Sequence, residues 1–317
     1  MDNAQKLTEL TGYKSIPVIC GPTASGKTSL SIRVAKELNG QICCCDSMQI
    51  YKHLSIGTAK PTKEEQEMVP HHLIDLVEPD TPFHVSSYLD AAYETIEELI
   101  SSHVLPVFCG GTGQYVSALQ KGISFDDAPV DHELEEKYWE EYRHDGISVL
   151  FEKLCSIDPN AASKIHPNNT KRVIHTLALC ESLGKTTEEI HETSLKDGPK
   201  YPFTLFCIDW PREELYHRIG LRVDQMMKDG LLDEARWLYE RHFGEKVTAL
   251  QAIGYKEFFP YFEGKCDLDK SVELLKQHTR NYAKRQLTWF RHMDDIIWIP
   301  FDQIKEYNVK SYINAQL

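Results

Sequence analysis

Three features of the 317-residue sequence predict an α/β protein built on a parallel sheet with flanking helices and an inserted helical domain. Short apolar runs alternate with helical repeats through the first third, which makes parallel β-α-β units with right-handed crossovers. A glycine-rich loop joins the first apolar run to the first helix, a P-loop-NTPase-like arrangement. The strand pattern stops near Gly122 and resumes near Pro202. The expected core is therefore residues 1–122 and 202–317, its C-terminal part mostly helical, with residues 123–201 as the helical insertion.

Ile16–Cys20 (IPVIC) reads as a buried strand, and Thr28–Leu38 follows as a helix through Leu30, Val34, Ala35 and Leu38. Gln41–Cys45 (QICCC), His72–Val77 (HLIDLV) and Leu105–Cys109 (LPVFC) read as the second, third and fourth strands. Tyr88–Ile100 between the last two is amphipathic, with Leu89, Ala92, Tyr93, Ile96, Leu99 and Ile100 on one face. In the insertion, Asp126–Glu141 holds eight acids and one lysine, and Ser148–Leu154 and Thr170–Leu183 have helical spacing. DPNAASKIHPNN between those helices reads as a Pro/Asn-rich connector. Phe203–Ile208 (FTLFCI) and Ile296–Ile299 (IIWI) return as strands around a mainly helical stretch.

Composition narrows the function classes. With 35 Lys and Arg against 48 Asp and Glu, the net charge of −13 argues against a surface coated for phosphate, though not against a local basic patch. No apolar run approaches the roughly 18–20 residues that cross a bilayer, so no membrane partner is expected. The start, MDNAQKLTELTGYKS, lacks a secretory apolar core and carries acids that transit peptides avoid. Nine cysteines, an odd number, suit reduced thiols, and a cytoplasmic location is expected. Cys43, Cys44 and Cys45 alternate along one strand and read as buried thiols, and His71 and His72 lack the spacing of a ligand pair.

Gly21, Pro22, Thr23, Ala24, Ser25, Gly26, Lys27 and Thr28 match G-x-x-x-x-G-K-[ST] at every fixed position, after a strand and opening a helix. Gly21 and Gly26 let the loop curl, the helix N-terminus adds positive dipole, Lys27 adds charge, and Thr28 is placed to hold Mg²⁺. A polyphosphate is expected here. Strand four ends CGGTG without the acid that γ-phosphate chemistry usually uses, and no guanine-reading motif is present. A diphosphate leaving group is consistent with both. Gly110–Gly113 either presents amides at the sheet edge or makes a plain turn, and Lys60 is either a further ammonium or a solvated lysine. Asp46, directly after strand two, suits a proton acceptor beside the phosphate crevice or a helix cap. Lys270–His292 carries six Lys and Arg against Glu273 alone, with Tyr282, Trp289 and Phe290 interleaved. That pattern fits either single-stranded RNA or a solvated helix face, and so does the acid-free stretch Lys164–His175.

Taken in order, GPTASGKT (21–28), DSMQIY (46–51), IGTAKP (56–61), HHLID (71–75), GGTGQY (110–115), PREELYHRIGLRVDQM (211–226), QAIGYKE (251–257) and YAKRQLTWFR (282–291) resemble the tRNA dimethylallyltransferases (tRNA isopentenyltransferases). The likeness runs over nearly the whole chain. It implies transfer of a dimethylallyl group from dimethylallyl diphosphate to the exocyclic N6 amine of the adenosine 3′-adjacent to the anticodon, releasing diphosphate. It implies Asp46 aiming the amine, Thr23 touching the reacting groups, and Arg222 on the diphosphate with Arg218 close behind. Ser47, Met48 and Gln49 are then expected to read the base, with Thr112, Lys171, Arg172, Arg285 and Trp289 on the tRNA anticodon stem-loop. The chain departs from the family at Glu135 and His175, where many members carry arginines, so the insertion is expected to dock differently or more weakly. No zinc-finger ligands follow Trp298, as in the compact bacterial members, and a monomer is expected. The competing readings are an ATP-dependent small-molecule kinase and a non-catalytic P-loop RNA-binding regulator.

Overall fold

A computed structural model describes residues 2–123, 132–195, 198–244 and 247–315. The chain divides into two compact units, residues 1–120 with 201–317, and residues 121–200. The first unit opens with α1 (Asn3–Thr11), β1 (Ile16–Cys20), α2 (Lys27–Glu37) and β2 (Gly40–Cys44). It continues through α3 (Lys63–Met68), β3 (His71–His72), α4 (Val85–Ser101), β4 (Leu105–Gly110) and α5 (Gly113–Lys121). The second unit holds α6 (His132–Asp145), α7 (Ile147–Ile157), α8 (Pro159–Lys164), α9 (Thr170–Leu183) and α10 (Thr187–Ser194). The first unit resumes with β5 (Phe203–Asp209), α11 (Arg212–Lys228), α12 (Leu231–Tyr239), α13 (Phe259–Phe262), α14 (Leu268–Arg291), β6 (Ile296–Pro300) and α15 (Val309–Ala315).

The six strands form one sheet in the order β3-β2-β4-β1-β5-β6, every pair parallel. β1 is buried along its whole length because helices cover both faces of the sheet, which is why IPVIC shows no alternation. The chain leaves β1 in one direction for β2 and later in the other for β5. The crevice at the β1 and β4 carboxyl ends is therefore a topological switch point, the usual ligand position in such sheets.

Two expectations about elements are corrected. The third strand is only His71–His72, joined by a lone bridge between Tyr51 and Val77. Leu73 and Asp75 take positive φ (62° and 53°), which ends regular pairing despite the apolar sequence. The DPNAASK segment is a helix. Pro159 sits in its first turn, and Asp158 accepts from the Ala161 N–H at 2.9 Å. Asp158 also accepts from the Thr187 N–H (2.8 Å) and hydroxyl (2.7 Å), tying α8 to the start of α10. Within this second unit Tyr138, Leu150, Leu154, Val173, Ile174 and Leu177 make a core of their own. The acidic residues Asp126, Asp127 and Asp131 lie outside the described residues. Cys43, Cys44 and Cys45 are buried, as read from the sequence; of the nine thiols, Cys155 on α7 is the exposed one.

Candidate active site

The loop after β1 wraps a cavity of about 690 Å³ at the sheet's carboxyl edge, within the range of about 300–1,000 Å³ usual for small-ligand sites. Gly21 and Gly26 take φ of 146° and 89°, so the loop curls as the motif requires. Two helices hold it from outside. On α11, Arg218 Nε donates to the Ala24 carbonyl at 2.8 Å and stacks on Trp210, whose indole N–H donates to the Ser25 carbonyl at 2.9 Å. Arg222, one turn further along the same face, reaches Thr23 Oγ1 at 3.4 Å. From α14, Gln286 accepts from the Thr23 N–H and donates to the Gly111 carbonyl, both at 2.9 Å.

Three cations thus line the cavity: Lys27, Arg218 and Arg222. Burial pulls the Lys27 ammonium below the usual lysine range and Arg222 pushes the same way, while Asp46 and two nearby thiols oppose it. Burial likewise lowers Arg222, again with Asp46 opposing. Asp46 is the one carboxylate among these lining residues, so the three cations outnumber it, and an anion would supply the remaining counter-charge.

Asp46 follows β2 into the same cavity lining, near enough to Lys27 and Arg222 to act on both charges. Oδ1 accepts from the Met48 N–H at 3.0 Å, so the residue does cap its own turn; among the described residues its second oxygen has no protein partner. Thr112 Oγ1 accepts from the Ser47 N–H at 2.9 Å and donates to the Ser47 hydroxyl at 3.2 Å. The Gly110–Gly113 segment serves close packing. A Cβ on Gly110 would lie 1.9 Å from the Cys45 carbonyl, and one on Gly111 would lie 2.3 Å from Gln286 Nε2. Gln49 is clamped: Nε2 donates to the carbonyls of Thr58 and Ala59, each at 3.1 Å, and Oε1 accepts from the Cys44 thiol. Apolar and thiol groups of Ile42, Cys44, Met48, Cys109 and Ile253 complete the lining.

Lys60 is neither a phosphate ligand nor a solvated lysine. Its side chain is 2% exposed and donates to the Tyr51 carbonyl (2.8 Å) and Asp75 (2.6 Å). Arg285 lines the cavity, as does Tyr282, whose phenol is pushed up by burial. Trp289 lies outside the lining: its indole N–H donates to Ser117 Oγ and its ring covers Gly113, leaving it 48% exposed. Lys171 and Arg172 are exposed in the first turn of α9. Glu135 and His175, the two departures from the family pattern, face each other at 4.0 Å.

Sequence reasoning assigned no role to Gln286, though one signal was there. It sits with Ala283 and Phe290 on the buried stripe of α14, an amide where an apolar residue is the rule. Among the described residues no three His, Cys, Asp or Glu gather as a metal cage. Thr28 lines the cavity and offers a hydroxyl oxygen. That donor fits Mg²⁺, which binds through few protein oxygens when substrate phosphates and waters fill the rest.

A family model described as IPP transferase matches residues 49–293, and one described as isopentenyl transferase matches residues 14–75. The chain is 45% identical over 289 residues to the tRNA dimethylallyltransferase of Acetivibrio thermocellus, covering 91% of this chain and 92% of that protein. The solved tRNA isopentenylpyrophosphate transferase of Bacillus halodurans matches with a TM-score of 0.68 at 38% identity, over 94% of this chain and 95% of that one. A eukaryotic dimethylallyltransferase, solved acting on tRNA, matches with a TM-score of 0.79 at 30% identity, over 94% of this chain and 76% of that one.

Proposed function

The chain belongs to the IPP transferase family, and from that membership we propose that it works as a tRNA dimethylallyltransferase, moving the five-carbon group of dimethylallyl diphosphate onto tRNA. The acceptor is the N6 amine of the adenosine 3′-adjacent to the anticodon. The observation that carries this reading is one cavity lined by the cations Lys27, Arg218 and Arg222, the carboxylate Asp46 and apolar side chains.

The chemistry follows from those groups. The bond between the allylic carbon and the diphosphate oxygen breaks, and its electron pair leaves with the diphosphate. Lys27, Arg218, Arg222 and the loop amides neutralise the charge that builds there. The adenine amine is a weak nucleophile because its lone pair is delocalised, so its placement matters more than strong base. Asp46 accepts a hydrogen bond from the amine and aims its lone pair at the carbon; the amine proton then passes to Asp46 or to water. Thr23 is held between Arg222 and Gln286, which supports the reading that it touches the reacting groups. Mg²⁺ on Thr28 would add further charge neutralisation at the diphosphate. The base must leave its stack, which is cheapest in an anticodon loop. No described helix is long and apolar enough to cross a membrane, which suits work in the cytoplasm.

Incubation of the enzyme and bulk tRNA with labelled dimethylallyl diphosphate should make the label acid-precipitable. No precipitable allyl label, together with small-molecule phosphorylation in a parallel arm with γ-labelled ATP, would overturn the reading in favour of a kinase.

A further inference from the structure

Glu234, in the first turn of α12, lies outside the cavity lining, yet its carboxylate is heavily engaged. Oε2 accepts from the N–H groups of Ser55 (2.9 Å) and Ile56 (3.0 Å). Oε1 accepts from the N–H groups of Ile56 and Gly57, both at 2.9 Å, and from the Tyr255 hydroxyl at 2.8 Å. Three successive amides turned toward one point form a concavity that an anion fills, and here the protein supplies the anion itself. The Tyr255 ring closes the arrangement from the side: a Cβ on Gly57 would lie 2.6 Å from Cζ.

The loop so gathered runs directly into Thr58 and Ala59, whose carbonyls take both amide hydrogens of Gln49 on the cavity wall. α12 in turn follows α11, which carries Arg218 and Arg222. One carboxylate therefore joins α12, next in the chain after the helix that carries Arg218 and Arg222, to the loop that holds Gln49. Resting on the reading above, we propose that Glu234 is a positioning residue for the transfer: it sets residues 55–57, and through Thr58 and Ala59 it fixes Gln49 facing the tRNA base. Glutamine at this position is nearly isosteric, but it offers one acceptor oxygen, and its NH₂ group opposes the inward-turned N–H donors.

The test is a double-mutant cycle of Glu234→Gln and Gln49→Ala, read as kcat/KM for tRNA and as KM for dimethylallyl diphosphate, with thermal melting of each variant. Glu234→Gln is expected to lower kcat/KM for tRNA roughly tenfold while KM for the diphosphate stays within about twofold, and the double variant should be no worse than Gln49→Ala alone. A merely structural role would give additive losses, a matching change in both KM values, or no change in a folded variant, and each of these overturns the proposal. Should Glu234→Gln fail to fold, Tyr255→Phe removes one donor from the carboxylate but keeps the ring on Gly57, and it is held to the same outcomes. A wild-type chain that transfers nothing would instead sink the functional reading.

Discussion

In the proposed mechanism Asp46 serves the acceptor amine and Lys27 the diphosphate, and single substitutions separate the two roles. Asp46→Ala should cut transfer by about 10²-fold or more while tRNA affinity, measured by filter binding, changes only a few-fold. The desolvated ammonium of Lys27 gives a second test. Its proton affinity is lowered in the free enzyme and rises again when diphosphate arrives, so binding takes up a proton on the alkaline side. Hence kcat/KM for the diphosphate should fall with rising pH, starting below the ordinary lysine range, and Lys27→Arg should move that limb to higher pH. The cavity's outline was legible in the sequence because the phosphate loop and the acid ending strand two are local patterns, whereas Arg218 and Arg222 entered through the family resemblance. Gln286, Glu234 and the fate of Lys60 were not legible. Gln286 meets Thr23 across 263 positions of sequence and Lys60 is claimed by Asp75, and no local spacing encodes such encounters.

At the level of elements, α14 acts as a strut against the phosphate loop. Its N-terminus is capped by Asp267, its basic side chains sit between apolar turns, and Gln286 bridges two loops that belong to different strands. Gln286→Leu would leave the Thr23 N–H and the Gly111 carbonyl unpaired, costing about 1–3 kcal/mol in denaturant unfolding, and would loosen the loop enough to raise KM for the diphosphate. Strands β1, β4 and β5 were readable as apolar runs because both sheet faces are covered. The short β3 was not, since HLIDLV has the composition of a strand while Leu73 and Asp75 adopt a turn that Lys60 holds through the Asp75 side chain. The helix α8 hid inside a Pro/Asn-rich stretch because proline in a first turn favours a helix as readily as it favours a loop.

Over the whole molecule, the acidic total of −13 is offset locally by clustered cations on α14 and at the start of α9, which we propose face tRNA. Replacing Lys171 and Arg172 together with alanine should weaken tRNA binding without touching diphosphate binding, and should flatten the plot of log Kd against log salt by about one to two. The insertion was legible as an interruption of strand pattern. The pairing of Glu135 with His175 inside it was not, since it depends on two helices meeting. That same unit carries Cys155, standing out in solvent on α7 while the other eight sulfurs are shielded to varying degrees. A maleimide fluorophore added to the unaltered protein would therefore go first to one place, and whether its emission changes on adding tRNA would tell if the substrate reaches the inserted unit.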